Sequence, residues 1–133
     1  MTTRLVIPTV LLAVSVFIVG CNEYALDTEW QSGNYRLIAI DTRGQMSLID
    51  SSEKSWQGIG PTVFSIGADD RFIVVAQHPS TNEFGGFDRS VTRFFVVEWT
   101  KRGIQGPLDR EKFDELAASQ SLPKFTKTFD DLK

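Results

Sequence analysis

Hydrophobic and polar positions divide the chain at one point. From Leu5 to Val19 the sequence is almost unbroken hydrocarbon, interrupted by Pro8, Thr9 and Ser15 and flanked by a single Arg4. Beyond residue 21 the apolar residues come in short runs separated by turn residues. The long run has the layout of a secretory signal. The short runs predict strands: Tyr35 to Ile40, Gln45 to Asp50, Thr62 to Ile66, Arg71 to Gln77 and Val91 to Thr100. Phe72 to Ala76 is apolar on both faces, which predicts a central strand covered on both sides, with the C-terminal helix as one candidate cover. Gly67-Ala68-Asp69-Asp70 is the strongest hairpin signal. Trp56 to Pro61 predicts a bend or bulge, Pro79 to Ser90 a loop, and Lys101 to Gly106 a turn.

One helix is predicted, beginning at Leu108-Asp109. Asp109 can accept hydrogen bonds from the free amides of the first turn, and Leu108 can pack on Phe113 across the cap. Phe113, Leu116 and Ala117 share an apolar face, and Leu122-Pro123 ends the helix. Phe125, Phe129 and Leu132 in the tail fit a helical stripe, while Phe125 and Phe129 also fit one face of a strand. The expected fold is a single small α+β domain, a mainly antiparallel sheet of four to six strands with a C-terminal helix. Its expected divisions are residues 1–20 as signal, 21–32 as lipidated cysteine and tether, and 33–133 as the globular body.

The apolar run ends Ile18-Val19-Gly20-Cys21. This I-V-G-C resembles the lipobox of bacterial lipoproteins, with an aliphatic residue three places before the cysteine and a small one directly before it. The resemblance implies cleavage between Gly20 and Cys21 and lipid on Cys21. One acyl chain binds a bilayer only marginally, so the two or three chains of a lipoprotein make the attachment durable. The expected partner of Cys21 is therefore the membrane, and the expected location is the bacterial cell envelope. Asn22 stands where the inner-membrane retention signal is usually aspartate, so for a Gram-negative source the analogy favours the periplasmic leaflet of the outer membrane.

Removing the signal leaves 113 of the 133 residues, enough for one domain. The signal takes Arg4 from the 14 basic residues and none of the 17 acidic ones, leaving a net negative body that argues against nucleic acid as a partner. Cys21 is the only cysteine, so no intramolecular disulfide is possible. Ten phenylalanines and three tryptophans must supply the packing.

A wider pattern follows the lipobox: S-G-N-Y-R-L, then V-F-S-I-G-A-D-D-R-F-I-V-V, then G-P-L-D-R-E-K-F. It resembles a family of small bacterial lipoproteins of uncharacterised function, over most of residues 21 to 125. Gly106, Pro107, Leu108 and Phe113 match a helix start, and Gly67, Asp69 and Asp70 a turn. The resemblance implies a strand-rich body and brings no catalytic residue.

His78 is the only histidine. Zinc would need further nitrogen or sulfur ligands, and no G-x-S-x-G elbow accompanies Ser80 or Ser90, so His78 reads as a solvated loop residue, with no metal or other cofactor expected. Asp69 with Asp70 reads as a turn that satisfies backbone amides, and Asp130 with Asp131 as part of a frayed tail. Gly58-x-Gly60 and Gly85-Gly86 lack the lysine and helix of a phosphate loop. The sequence favours core packing for Trp99, Phe95 and Val97.

The candidate binding element is Glu83 to Arg89. Phe84 and Phe87 flank a glycine pair, with Asp88 and Arg89 beside them, a composition in which rings supply area and charges orient a partner. Against this stands the folding of one or both rings onto the sheet. The expected function is a non-enzymatic protein-interaction module of inhibitor, immunity or envelope-assembly type, with an unidentified protein partner. The alternative is a small-ligand binder or sensor built around a phenylalanine-lined pocket.

Overall fold

The computed structural model describes residues 28–52 and 58–133. The signal, Gly20, Cys21 and residues 53–57 lie outside the described residues. The body is an α+β domain of two antiparallel sheets and one helix. β1 (Thr28–Ser32), β2 (Tyr35–Ile38), β3 (Ser47–Asp50) and β4 (Gly58–Ile59) form the first sheet in that order. β5 (Val63–Ala68), β6 (Phe72–Gln77), β7 (Arg93–Glu98), β8 (Gly103–Leu108) and the short β9 (Lys127–Thr128) form the second, in the order β8-β7-β6-β5-β9. The helix α1 (Arg110–Gln120) packs on β7 and β8. None of the described helices is long and apolar enough to cross a membrane.

The sheet expected as one is divided at Pro61. β4 ends within Gly58-Ile59-Gly60, and Pro61 has no N–H with which to continue a ladder. The chain leaves the first sheet there and starts β5 in the second. Thr62 fastens the two together: its N–H and C=O exchange bonds with the His78 main chain at 2.8 and 2.9 Å, while its hydroxyl donates to the Gly44 carbonyl. Val63 N also donates to Met46 O at 2.9 Å. Both sheets contribute to one buried cluster that includes Leu37, Met46, Leu48, Ile66, Val74 and Val96.

β6 is central, and Phe72 to Gln77 are all buried, as the two-faced apolar pattern predicts. Asp69 closes the β5–β6 hairpin by accepting from Arg71 N at 2.8 Å and Phe72 N at 2.7 Å. Asp109 caps α1 by accepting from Lys112 N at 2.8 Å. Phe113 is the buried anchor of the helix, and its ring lies 4.7 Å from Phe94 and 5.8 Å from Phe125.

Three segments differ from expectation. Thr28–Ser32, assigned to the tether, is an edge strand on β2. The segment expected to turn at Lys101 to Gly106 turns earlier and forms β8, an edge strand on β7. Its glycines and Pro107 remove the alternation that marks a strand, and an edge tolerates proline. The tail, expected to fray, is docked: β9 pairs with β5 through Ser65–Thr128 and Ile66–Lys127, and Phe129 and Leu132 are buried. Gly67 makes room for it, because a β-carbon there would lie 2.0 Å from the Lys124 carbonyl oxygen.

Candidate functional site

The 79–90 segment is a closed hairpin. Ser80 bridges Phe87, Thr81 N donates to Gly86 O at 2.9 Å, and Asp88 N donates to Pro79 O at 3.0 Å. The Asn82 side chain accepts from Phe84 N and Gly86 N at 2.9 and 3.1 Å. Gly85 has φ +88° and sits against Gly44, and Gln45 donates to the Glu83 carbonyl at 2.8 Å. The loop is therefore held against the first sheet.

This geometry separates the four residues proposed as one binding element. Phe84 is 78% exposed at the hairpin tip. Phe87 turns inward, its ring centroid 6.1 Å from His78 and the Arg89 guanidinium 4.4 Å above it. Asp88 accepts from the Ser90 hydroxyl at 2.6 Å and from Ser90 N at 2.9 Å, and the hydroxyl bond above all holds its carboxyl below the usual range. Arg89 donates to the main-chain oxygens of Asp131 and Lys133, at 2.9 and 3.1 Å. Of the two rings, only Phe84 stands out from the surface.

His78 is not a solvated loop residue. It continues directly from β6, is 4% exposed, and stacks on Phe64 at 4.1 Å with planes 13° apart. Its Nδ1 lies 2.8 Å from the Val91 carbonyl oxygen, which can only accept, so Nδ1 carries the proton. Nε2 is buried with no partner. Neither nitrogen engages a serine or a carboxylate, so the relay of a serine hydrolase is not assembled here. Among the described residues no group of three or more His, Cys, Asp or Glu side chains is placed to hold a metal ion. Asp131 pairs with Arg43, which also reaches Glu29 at 2.9 Å and lies over Phe129. The bond from Arg43 holds the Asp131 carboxyl below the usual range.

The stacked His78 lies at the side of an open groove of about 680 Å³ between α1, the docked tail and the face of the second sheet. Its apolar wall is Phe64, Phe94 and Phe125, from β5, β7 and the segment before β9. A register shift between Val63 and Ser65 accompanies the presentation of both Phe64 and Ser65 to the groove. Arg89, Arg110 and Lys133 supply positive charge, and no aspartate or glutamate lines it. Thr92 and Ser90 add hydroxyls along one side. Trp99, Phe95 and Val97 lie elsewhere: Val97 is buried, Phe95 and Trp99 pack against the core, and Trp99 meets Tyr35 edge-on at 5.4 Å.

Residues 32–132 match the model of a family described as protein of unknown function (DUF3997). The chain belongs to this family. No curated protein and no solved structure matches it. The segment shared with DUF3997 runs from the last residue of β1 to Leu132, so the hairpin, the docked tail through Leu132 and every groove residue but Lys133 lie inside it, and Cys21 lies outside.

Proposed function

We propose that this DUF3997 protein is a non-enzymatic bacterial lipoprotein, held on the cell envelope by lipid on Cys21, that acts by binding a ligand in the groove. The anchor rests on the apolar run and the I-V-G-C that follows it. Thr28 opens β1 seven residues after Cys21, so the start of the first sheet can stand at most roughly 25 Å from the lipid, at about 3.6 Å per fully extended residue. A receptor kept this close meets ligands at or near the membrane surface.

The observation that carries the binding reading is the groove itself, whose volume lies in the range of small-molecule sites and whose walls combine aromatic rings with a few polar groups. The hairpin supports a protein-interaction module less well, since Phe87, Asp88 and Arg89 are committed to contacts within the molecule. Placing a photo-crosslinking amino acid at Thr92, and separately at Phe84, in the native envelope tests the choice. A small-molecule adduct at Thr92 is expected. A protein adduct at Phe84 with none at Thr92 would return the function to the hairpin tip. Cys21→Ser is expected to abolish lipid labelling and leave a precursor, and normal labelling in that variant would end the argument for the anchor.

A further inference from the structure

The charge lining the groove runs against the charge of the chain. The protein carries 17 acidic and 14 basic residues, yet the groove presents three cationic side chains and no acidic one. Arg110 is best placed to use that charge. As the first residue of α1 it extends across Phe94, with its guanidinium carbon 4.6 Å from the ring centroid. Its nearest acid is Asp114, 3.7 Å away in a solvent-exposed pair, and such pairs hold a guanidinium weakly. The planar fork retains donors for a second acceptor. Phe94 continues the apolar surface beneath it towards Phe125, the two ring centroids 6.2 Å apart.

His78 borders the groove through its stack on Phe64, with its Nε2 sealed inside and without a partner. Ser65 and Thr128 bond to one another at 2.7 Å and so tie the tail to β5 at the groove's side. A cation lying over a continuous aromatic surface makes the groove a site for an amphiphile, not for a neutral hydrocarbon.

We infer that the ligand is a small organic acid, its carboxylate held by Arg110 and its apolar body lying over Phe94 and Phe125. This rests on the reading of the groove as the binding site. The two oxygens of a carboxylate match the spacing of a guanidinium fork, and the attraction is strengthened where the apolar body excludes water.

The test is calorimetric titration of the full chain in phosphatidylcholine nanodiscs, with heats from empty discs subtracted. The ligands are phenylbutyrate, phenylbutanol and phenylbutyl phosphate. Phenylbutyrate is expected to bind roughly tenfold more tightly than phenylbutanol, and Arg110→Gln to remove most of that difference while leaving phenylbutanol unchanged. Phe125→Ala is expected to weaken both. Equal binding of acid and alcohol, insensitive to Arg110→Gln, overturns the acid and keeps the groove as a binding site. Preference for phenylbutyl phosphate overturns the carboxylate. If none of the three binds and Thr92 still traps a small molecule, the acid is wrong and the binding function stands; without that adduct, both fall.

Discussion

Replacing His78 separates two accounts of the same residue by energy alone. On the surface of a loop, His78→Ala changes stability by no more than about 0.5 kcal/mol. The structure requires far more. Stacking on Phe64 at 4.1 Å contributes about 0.5–1.5 kcal/mol. The bond to the Val91 carbonyl adds about 0.5–1.5 kcal/mol. Loss of buried ring carbons and the hole left between Phe64 and Phe87 add about 1–2 kcal/mol. His78→Ala should therefore cost about 2–5 kcal/mol.

His78→Phe sharpens the test, because it keeps a ring between the two phenylalanines. It leaves the Val91 carbonyl without its donor, at a cost of about 1 kcal/mol, and it also removes the unpartnered Nε2, whose burial costs a similar amount. The net change should stay within about 1 kcal/mol. Urea unfolding of the full chain, followed by tryptophan fluorescence, measures both variants, provided the denaturant slope is unchanged. A loss below about 0.5 kcal/mol for His78→Ala, or alanine tolerated better than phenylalanine, would refute the stacked arrangement.

Asp109→Ala should lower stability by about 1 kcal/mol through the lost bond to Lys112 N, and an unchanged urea midpoint would move the start of α1. In the hairpin, Phe84→Ala should stay within about 0.5 kcal/mol and Phe87→Ala should cost about 1–2 kcal/mol; unfolding measurements in the reverse order would mean that the wrong ring was assigned inward. Asp131 has a depressed pKa, so its pairing with Arg43 stabilises the docked tail above the ordinary aspartate range and is lost as pH falls through the lowered value. Amide protection factors at Phe129 and Leu132, corrected for intrinsic exchange, should hold at neutral pH and fall only in acid below the usual aspartate pKa, whereas Asp131→Asn should show the lower protection already at neutral pH; identical profiles would exclude this clamp.

Local chemistry made much of the fold legible. β6 announced its central place because five consecutive apolar residues cannot all be hidden on a strand with one wet face. Asp69 and Asp109 are each read from a side chain that satisfies amides two or three residues away, within the span a sequence pattern can see. β8 was hidden because an edge strand with exposed faces needs no alternation, and Gly103, Gly106 and Pro107 carry turn signals that the neighbouring β7 overrides. The docked tail was hidden for a different reason. Its pairing joins residues about sixty positions apart, and the gap at Gly67 that admits it has meaning only once Lys124 is known to pass there.

The binding elements follow the same division. Phe84, Phe87, Asp88 and Arg89 attracted notice because they are contiguous; the bonds among Ser80, Asn82 and Gly86 close the loop, and Phe87, Asp88 and Arg89 each make contacts within the molecule. The groove drew no notice because Phe64, His78, Phe94, Arg110 and Phe125 come from separate segments and none carries a motif. Each has a sufficient structural reason to be where it is, as a ring in a core, a residue after a strand or the first residue of a helix. What sets them apart is their combination. Packing accounts for Phe94 against Phe113 and a cation–π contact for Arg110 over Phe94, but neither gives a reason for three cationic side chains and no acidic one to line one groove of an acidic protein. An acidic ligand supplies that reason, and removing the Arg110 charge tests it without disturbing the buried rings.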